Sequence, residues 1–313
     1  MQMTRSQALA GTATFIATGG KALAQTSLTS IRIASSPVGD VIPLLYAQNS
    51  GLFRNAGLDV TLTKANSGSA VAAALVGNAI EIGKVSAVSI ITAHSRGIGL
   101  AIIFPDRLHT YGAQAETALV VAPDSPIRTG RDLNGKTVSV SAIKDSTWIG
   151  ARLWVDSNGG DSTTVKFIEL PFSAASAAVA AGRIDAGVSN DPYLKQDVLA
   201  GKVRSLGDLL GAIGSKFLET AWTATSDYIT NNRATVTRFV RAIRESQVWL
   251  NAHTAEGVEL NAAYTGVDKA TVATTRIVFA TDMDPSVMQP YITACAKYGI
   301  IPQSFNAAEL YAR

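Results

Sequence analysis

A helix-and-strand segment that occurs twice constrains the fold of this chain more than any other sequence feature. The first copy, residues 67–86, reads SGSAVAAALVGNAIEIGKVS, and the second, residues 173–192, reads SAASAAVAAGRIDAGVSNDP. Each copy has a serine suited to capping a helix, an alanine-rich stretch, a glycine that ends the helix, and a short apolar run typical of a buried strand. Because an internal repeat marks a repeated structural unit, the pattern predicts two similar α/β lobes.

The serines of the first copy predict where backbone donors are left free. Ser67 and Ser86 stand where two helices are expected to start, and Gly68 allows a backbone to come close to a ligand. A helix start carries unpaired N–H groups and the positive end of the helix dipole, so it favours an anion or another acceptor. Gly77 is predicted to end the first helix in the left-handed conformation, residues 80–83 to form a strand, and Ser173 to cap the second copy. Helix starts that face each other across a gap would form a clamp for a small molecule.

Composition excludes several classes of protein. With 313 residues, 47% hydrophobic and 16% charged, the chain is long and apolar enough for one large domain or two modest ones, each with a sizeable core. The formal net charge is only +3 and the basic residues are scattered, so we expect no nucleic-acid partner. A single cysteine excludes a disulfide framework, and the three histidines lack metal-ligand spacing, so we expect neither a metal nor a cofactor.

The first residues predict export. Residues 1–24 have the features of a signal peptide: Arg5 gives a positive start, residues 8–17 are small and moderately apolar, and residues 22–24 fit a cleavage site. The alternative is an unstructured tail. Ser6 stands where a twin-arginine leader would need a second arginine, so the export route stays open, and no run is long enough to span a bilayer.

Strands alternate with helices along most of the chain, which predicts parallel α/β layers. We assign residues 30–117 and 222–313 to lobe 1, which includes a helical tail, and residues 118–221 to lobe 2. The chain is expected to leave lobe 1 within residues 105–116 and to return near residues 221–225.

Four phrases carry a resemblance to a known family: GLFRNAGLDV (51–60), SGSAVAAALVGNAIEIG (67–83), DLNGKTVSV (132–140) and AAGRIDAGVSNDP (180–192). In this order they resemble the periplasmic substrate-binding proteins of ABC transporters, in the branch that binds nitrate, taurine, alkanesulfonates and thiamine-pyrimidine precursors. The resemblance implies a type II periplasmic-binding-protein fold. In that fold two α/β lobes are joined by two crossing strands that act as a hinge, a helical C-terminal region follows, and the lobes close on a ligand.

The resemblance also implies which positions line the cleft. On lobe 1 they fall in the turn after the first strand and in the two loops that precede helices, and on lobe 2 they lie at strand ends. The implied residues are Ser36, Pro37, Asn66, Ser67, Gly68, Ser86, Ser141, Ser146, Thr147 and Asn190. From their residue type alone, Trp148 and Trp222 either stack on a ligand or pack in the core. Arg107 is interpreted as an exposed loop arginine, with pairing to a ligand carboxylate or sulfonate as the alternative. Asp145 and Asp191 are interpreted as helix caps, with a hydrogen bond to a ligand amine or hydroxyl as the alternative.

These observations favour the solute-binding component of an ABC importer, periplasmic and monomeric. It would capture a small anionic organic molecule, such as a sulfonate, a carboxylate or an aromatic acid, and deliver it to a permease in the inner membrane. One alternative is a pyrimidine-synthase-like enzyme on the same fold. Such relatives carry a cysteine-rich segment and a cofactor lysine, whereas Cys295 is alone and near the C-terminus. The other alternative is a ligand-sensing module that contacts a receptor.

Overall fold

The computed structural model describes residues 27–110, 115–275 and 277–312, so the predicted signal peptide lies outside the described residues. Within these ranges the strands are β1 (Thr29–Ser35), β2 (Leu58–Lys64), β3 (Ile82–Ser86), β4 (Leu100–Pro105), β5 (Leu108–Thr110), β6 (Thr117–Val121), β7 (Thr137–Val140), β8 (Lys166–Glu169), β9 (Ala186–Asn190), β10 (Arg204–Asp208), β11 (Lys216–Leu218) and β12 (Thr220–Thr225). The α-helices are α1 (Ile42–Asn49), α2 (Leu52–Asn55), α3 (Gly68–Val76), α4 (Ala87–Ser95), α5 (Ser146–Ser157), α6 (Phe172–Ala180), α7 (Tyr193–Leu199), α8 (Ser226–Asn231), α9 (Arg233–Ala252), α10 (Thr254–Thr265), α11 (Lys269–Val272) and α12 (Gln289–Lys297). Short 3₁₀ helices span Gly39–Val41, Arg131–Leu133, Pro285–Met288 and Ala307–Leu310.

Two five-stranded sheets with the same internal order form the two lobes. The first sheet has the order β2-β1-β3-β12-β4, and the second, written from the matching edge, has the order β8-β7-β9-β6-β10. In each sheet three neighbouring strands run parallel, and the fourth runs antiparallel to both of its neighbours. The predicted two-lobed α/β fold is therefore confirmed.

The chain crosses between the sheets along two segments that touch each other. It leaves the first sheet after β4 and reaches β6 by way of β5, and it returns from β10 to β12 by way of β11. Strands β5 and β11 pair antiparallel, with Phe217 opposite His109. The crossing strands thus form a small sheet of their own. The return crossing was predicted near residues 221–225, but it lies earlier, at β11, and residues 220–225 form β12 inside the first sheet.

The repeated segments occupy equivalent places in the two lobes, although some local predictions differ. Helix α3 leads into β3, and α6 leads into β9. Gly77 does not take the left-handed conformation, since its φ is −80°, and Asn78 takes it instead with φ 54°. Asparagine tolerates this region better than other residues with a side chain. Ser173 does not cap α6, because the helix begins at Phe172 directly after Pro171.

The long helix of the C-terminal region completes the core of the first lobe. Helix α9 buries Phe239, whose ring stacks on Phe53 with centroids 5.6 Å apart and meets Trp222 edge-on at 5.5 Å. Another apolar cluster includes buried residues of α4, α5 and α12, among them Ile91, Ile149 and Ile292. The tail therefore packs against both lobes.

Among the described residues, no helix combines the length and the apolar character needed to cross a membrane.

Candidate functional site

A partly open cavity lies between the two lobes. Its walls come from the ends of β1, β3, β7 and β9, from the residues just after them, and from the crossing segments. In α/β sheets, ligands bind beyond the carboxyl ends of the parallel strands, which is where these residues lie. The lining residues are Ser36, Val38, Asp40, Ser67, Gly68, Lys84, Ser86, Arg107, Thr117, Ser141, Asp145, Ser146, Thr147, Phe172, Asn190, Leu210, Glu219 and Thr220.

Two thirds of the residues predicted from sequence to line the cleft come together in this cavity. The first lobe contributes Ser36, Ser67, Gly68 and Ser86, and the second contributes Ser141, Ser146, Thr147 and Asn190. The loops and helix starts of the two halves therefore face one space.

The remaining four predicted residues do not line the cavity. Asn66 is exposed, and the carbonyl of Pro37 accepts a hydrogen bond from Tyr193 Oη at 3.2 Å. Trp148 packs edge-on against Phe167, with ring centroids 6.0 Å apart. Trp222 is fully buried in the first lobe. For both tryptophans the structure therefore matches the core-packing alternative, because each ring faces its own lobe.

Gly68 brings two helix starts together. A Cβ atom at Gly68 would lie 2.6 Å from the backbone nitrogen of Ser86 and 2.7 Å from its Cβ. The sequence predicts that Gly68 allows the backbone to approach a ligand, but in the structure the backbone at Gly68 instead packs closely against Ser86 at the start of α4.

We expect Gly68→Ala to lower the free energy of unfolding by about 1–3 kcal/mol, because the new methyl group must push α3 away from the backbone of α4. Gly77→Ala at the other end of α3 is the control, since the nearest atom there is 3.3 Å from the new Cβ. Urea titration measures both variants, and equal stability of the two would contradict the role of Gly68.

Asp145 connects the lobes at this point. It caps α5 through the N–H of Ser146, at 2.8 Å. Its Oδ2 also accepts the backbone N–H of Ser69 at 3.1 Å, and its Oδ1 accepts the hydroxyl of Ser86. Burial raises the pKa of the Asp145 carboxyl, while the hydrogen bonds from Ser86, Ser146 and Ser69 oppose the rise.

A buried ion pair forms the floor on the first lobe. Lys84 Nζ contacts Asp40 Oδ1, and both side chains are only 2% exposed. Thr220 Oγ1 donates to the other oxygen of Asp40 at 3.1 Å. A charged pair so deeply buried requires its hydrogen bonds to offset the loss of hydration.

Arg107 is buried, contrary to the expectation of an exposed loop residue. Its guanidinium contacts Glu116, and its Nε lies 3.4 Å from Glu219 Oε1. His109 bridges Glu219 at 3.4 Å and Asp208 at 3.3 Å. Charged side chains thus link the two crossing segments beside the cavity.

Burial and neighbouring charges shift the pKa values in this network. Burial lowers the pKa of His109, but hydrogen bonds to Asp208 and Glu219 outweigh burial and raise it to about 9. Burial raises the pKa of Glu116 to about 7, against the opposing effect of Arg107. The imidazole of His109 is therefore charged at neutral pH, and the carboxyl group of Glu116 titrates near neutral pH.

Asn190 carries one of the buried polar atoms at the cavity that have no hydrogen-bond partner in the part of the chain that is described. Asn190 is 4% exposed, its Nδ2 donates to Thr117 Oγ1 at 2.6 Å, and its Oδ1 accepts no hydrogen bond. A buried acceptor without a partner is costly, so a ligand donor at this position would relieve it. Across the same described ranges, no group of three or more His, Cys, Asp or Glu residues is arranged to hold a metal.

Sequence reasoning missed the charged and apolar parts of the lining. Lys84 had a usable signal, because a lysine inside a buried strand is almost always paired. Its partner Asp40 lies 44 residues earlier, which local patterns do not reveal. The other missed lining residues are Val38, Thr117, Phe172, Leu210, Glu219 and Thr220.

Comparison with solved structures places the fold among binding proteins and at least one enzyme. The chain superposes on the alkanesulfonate-binding protein SsuA from Xanthomonas axonopodis pv. citri bound to MOPS with a TM-score of 0.75, at 20% identity, over 91% of this chain and 98% of that one. For the periplasmic nitrate-binding protein NrtA from Synechocystis PCC 6803 the TM-score is 0.72, at 15% identity, over 90% and 84% of the two chains. For the desulfurization enzyme DszB the TM-score is 0.65, at 16% identity, over 91% and 96%. At these identities the likeness establishes the fold.

Comparison by sequence identifies the family. A search of curated proteins finds no match to this chain. The family model described as NMT1/THI5 like matches residues 39–256, which is more than half of the 313 residues. The matched range contains the four phrases that carried the resemblance, and the structural neighbours include sulfonate-binding and nitrate-binding proteins of the expected branch. The chain belongs to the NMT1/THI5-like family.

Proposed function

We propose that this protein is the exported solute-binding component of an ABC importer. It captures a small organic anion between its lobes and presents the closed form to a membrane permease. The observation that carries the proposal is that predicted positions from both lobes line one shared cavity. A ligand that contacts both walls favours the closed conformation by its difference in affinity for the two states. The lobe boundaries near residues 117 and 221 and the monomeric state are part of the same proposal.

The chemistry of the lining supports a polar, acidic ligand of small size. Serine and threonine hydroxyls surround the cavity and can donate hydrogen bonds to an acidic group. The cations Lys84 and Arg107 also line it, each beside an acid that pairs with it. Phe172 and Leu210 give an apolar wall for the carbon part of the molecule. The unpartnered oxygen of Asn190 favours a ligand that also carries a hydrogen-bond donor. A sulfonate, a carboxylate or an aromatic acid with a hydroxyl or amino group has these features.

We expect Asn190→Ala to weaken ligand binding about tenfold, because one hydrogen bond to the ligand contributes about 0.5–1.5 kcal/mol. Calorimetric titration with taurine, an alkanesulfonate, nitrate and a hydroxybenzoate measures the affinity. Asn261→Ala is the control, because Asn261 is also buried, its amide oxygen also accepts no hydrogen bond, and it lines a different cavity. Equal affinities of the two variants, or no heat with any probe, would contradict the proposal.

We propose solute binding in place of catalysis because the chain lacks the cysteine chemistry of the enzyme alternative. Cys295, its single cysteine, is fully buried on α12 and does not line the cavity. Mass spectrometry after incubation with the best probe tests this point, and the probe is expected back unchanged. Uptake into vesicles that carry the cognate permease separates transport from a sensing role.

A further inference from the structure

The Asp145 bridge, formed by Asp145, Ser69 and Ser86, brings three helix starts to one carboxylate. Asp145 is the N-cap of α5 in the second lobe. Ser86 is the N-cap of α4, and Ser69 lies in the first turn of α3, both in the first lobe. The carboxylate is 3% exposed. It therefore sits where the positive ends of three helix dipoles and their free donors converge.

We propose that Asp145 is an internal anion that takes the place of a ligand's acidic group at the starts of α3 and α4 and so holds the lobes together when no ligand is present. This proposal rests on the two-lobed closure described under the proposed function. It also means that these two helix starts, which the sequence pattern offered to a ligand, are already occupied by the chain itself.

The carboxylate of Asp145 accepts hydrogen bonds both within the second lobe and from the first lobe. Capping of α5 needs only the bond to Ser146, which both residues keep when the lobes separate. The bonds to Ser69 and Ser86 join residues 76 and 59 positions apart and exist only while the lobes touch. Hydrogen bonds to a buried carboxylate are stronger than those between neutral groups. Opening must therefore break two charge-assisted bonds and hydrate the carboxylate.

Other hydrogen bonds between the lobes join partly exposed residues. Tyr193 of α7 donates its hydroxyl at 3.2 Å to the carbonyl of Pro37 and lies 3.3 Å from that of Thr265. Tyr298, which follows α12, donates to Asp156 Oδ2 at 2.7 Å. These bonds lie nearer the surface, where water replaces them readily. Asp145 thus contributes a deeply buried carboxylate to the contact between the lobes.

The experiment measures the distance between the lobes in the ligand-free full chain. Spin labels are placed on cysteines introduced at Asp59 and Lys166, exposed residues of the edge strands β2 and β8, while the buried Cys295 stays unlabelled. Asp145→Asn keeps the size and the capping oxygen but removes the charge. We expect a longer-distance population whose ratio to the short one rises about tenfold, as weakening of charge-assisted bonds predicts.

Asp268→Asn is the matched control. Asp268 is also an aspartate N-cap, of α11, and it accepts the backbone N–H of Thr271 at 2.8 Å, but it is exposed and bonds within its own lobe. Its distance distribution is expected to equal that of the unmodified chain. An unchanged distribution for Asp145→Asn, or the same change in both variants, would overturn the proposal.

A second variant approaches the bridge from the first lobe. Ser86→Ala removes the hydroxyl donor and is expected to give the same longer population, and the double variant should add little, because both changes break one interaction. This route remains informative if Asp145→Asn fails to fold. The distances are read without any ligand, so failure of all probes to bind would reject the proposed function and leave the Asp145 bridge standing.

Discussion

Replacement of Lys84 by methionine is expected to lower the free energy of unfolding by about 3–5 kcal/mol, because it leaves the buried carboxylate of Asp40 without its counter-charge. The side chains of both residues are 2% exposed, so water cannot take the place of the ammonium group. Thr220 offers Asp40 one hydrogen bond, which does not replace a charge. Chemical denaturation followed by circular dichroism measures the loss.

Lys202→Met is the matched control for this prediction. Lys202 also pairs with an aspartate, Asp197, at 3.0 Å, but its side chain is 56% exposed. Exposed ion pairs contribute about 0–1 kcal/mol, so the control should lose little. Adding Asp40→Asn to Lys84→Met should restore part of the stability, since the remaining group is then neutral. If Lys84→Met were as stable as the control, the ion pair would have no role in the fold.

Replacement of Trp222 by alanine is expected to cost about 3–5 kcal/mol, the usual range for removal of a large buried aromatic side chain. Trp222 is fully buried, packs on Phe239, and donates its Nε1–H to Asp106 Oδ1 at 3.1 Å. Truncation therefore opens a cavity and removes one of the hydrogen bonds to a buried carboxylate. Trp249→Ala is the comparison, because that ring stacks on Tyr46 in a partly exposed position and should cost less.

The conservative variant Trp222→Phe separates packing from ligand contact. It is expected to lose about 1–2 kcal/mol, mainly from the missing donor to Asp106. Ligand affinity should stay unchanged, because Trp222 does not line the cavity. A large fall in affinity with little loss of stability would instead show that Trp222 contacts the ligand, which is the other alternative that the sequence leaves open.

The fold was predictable because its signals are local and repeated. Serine caps, alanine-rich helices and short apolar runs define α3 with β3 by sequence period alone, and the recurrence at α6 and β9 implies the second lobe. Ser67 and Ser86 were predictable for the same reason, since helix starts follow strand ends, whereas Ser36, Ser141 and Ser146 were implied by the family resemblance. The sequence predicts the ends of the strands less exactly: it indicates a strand over residues 80–83, whereas β3 runs over Ile82–Ser86.

The remaining parts of the site depend on contacts distant in sequence. Lys84 and Asp40 are 44 residues apart, and Asp145 and Ser86 are 59 apart, so no window of sequence shows either pair. The tryptophans were ambiguous because core packing and ligand stacking use the same residue type. Arg107 gave no hint of burial, because its partners Glu116 and Glu219 come from both crossing segments.

The pairing of β5 with β11 has a mechanical consequence. A single connection between two bodies permits swivelling in every direction, whereas two neighbouring connections joined by hydrogen bonds must flex as one unit. Torsion of one lobe against the other would shear the contacts of Phe217 with His109, whose rings stack 4.6 Å apart. The easiest motion is therefore expected to be rotation about one axis near these strands, so the two lobes would meet in the same alignment in each closure that the proposed function requires.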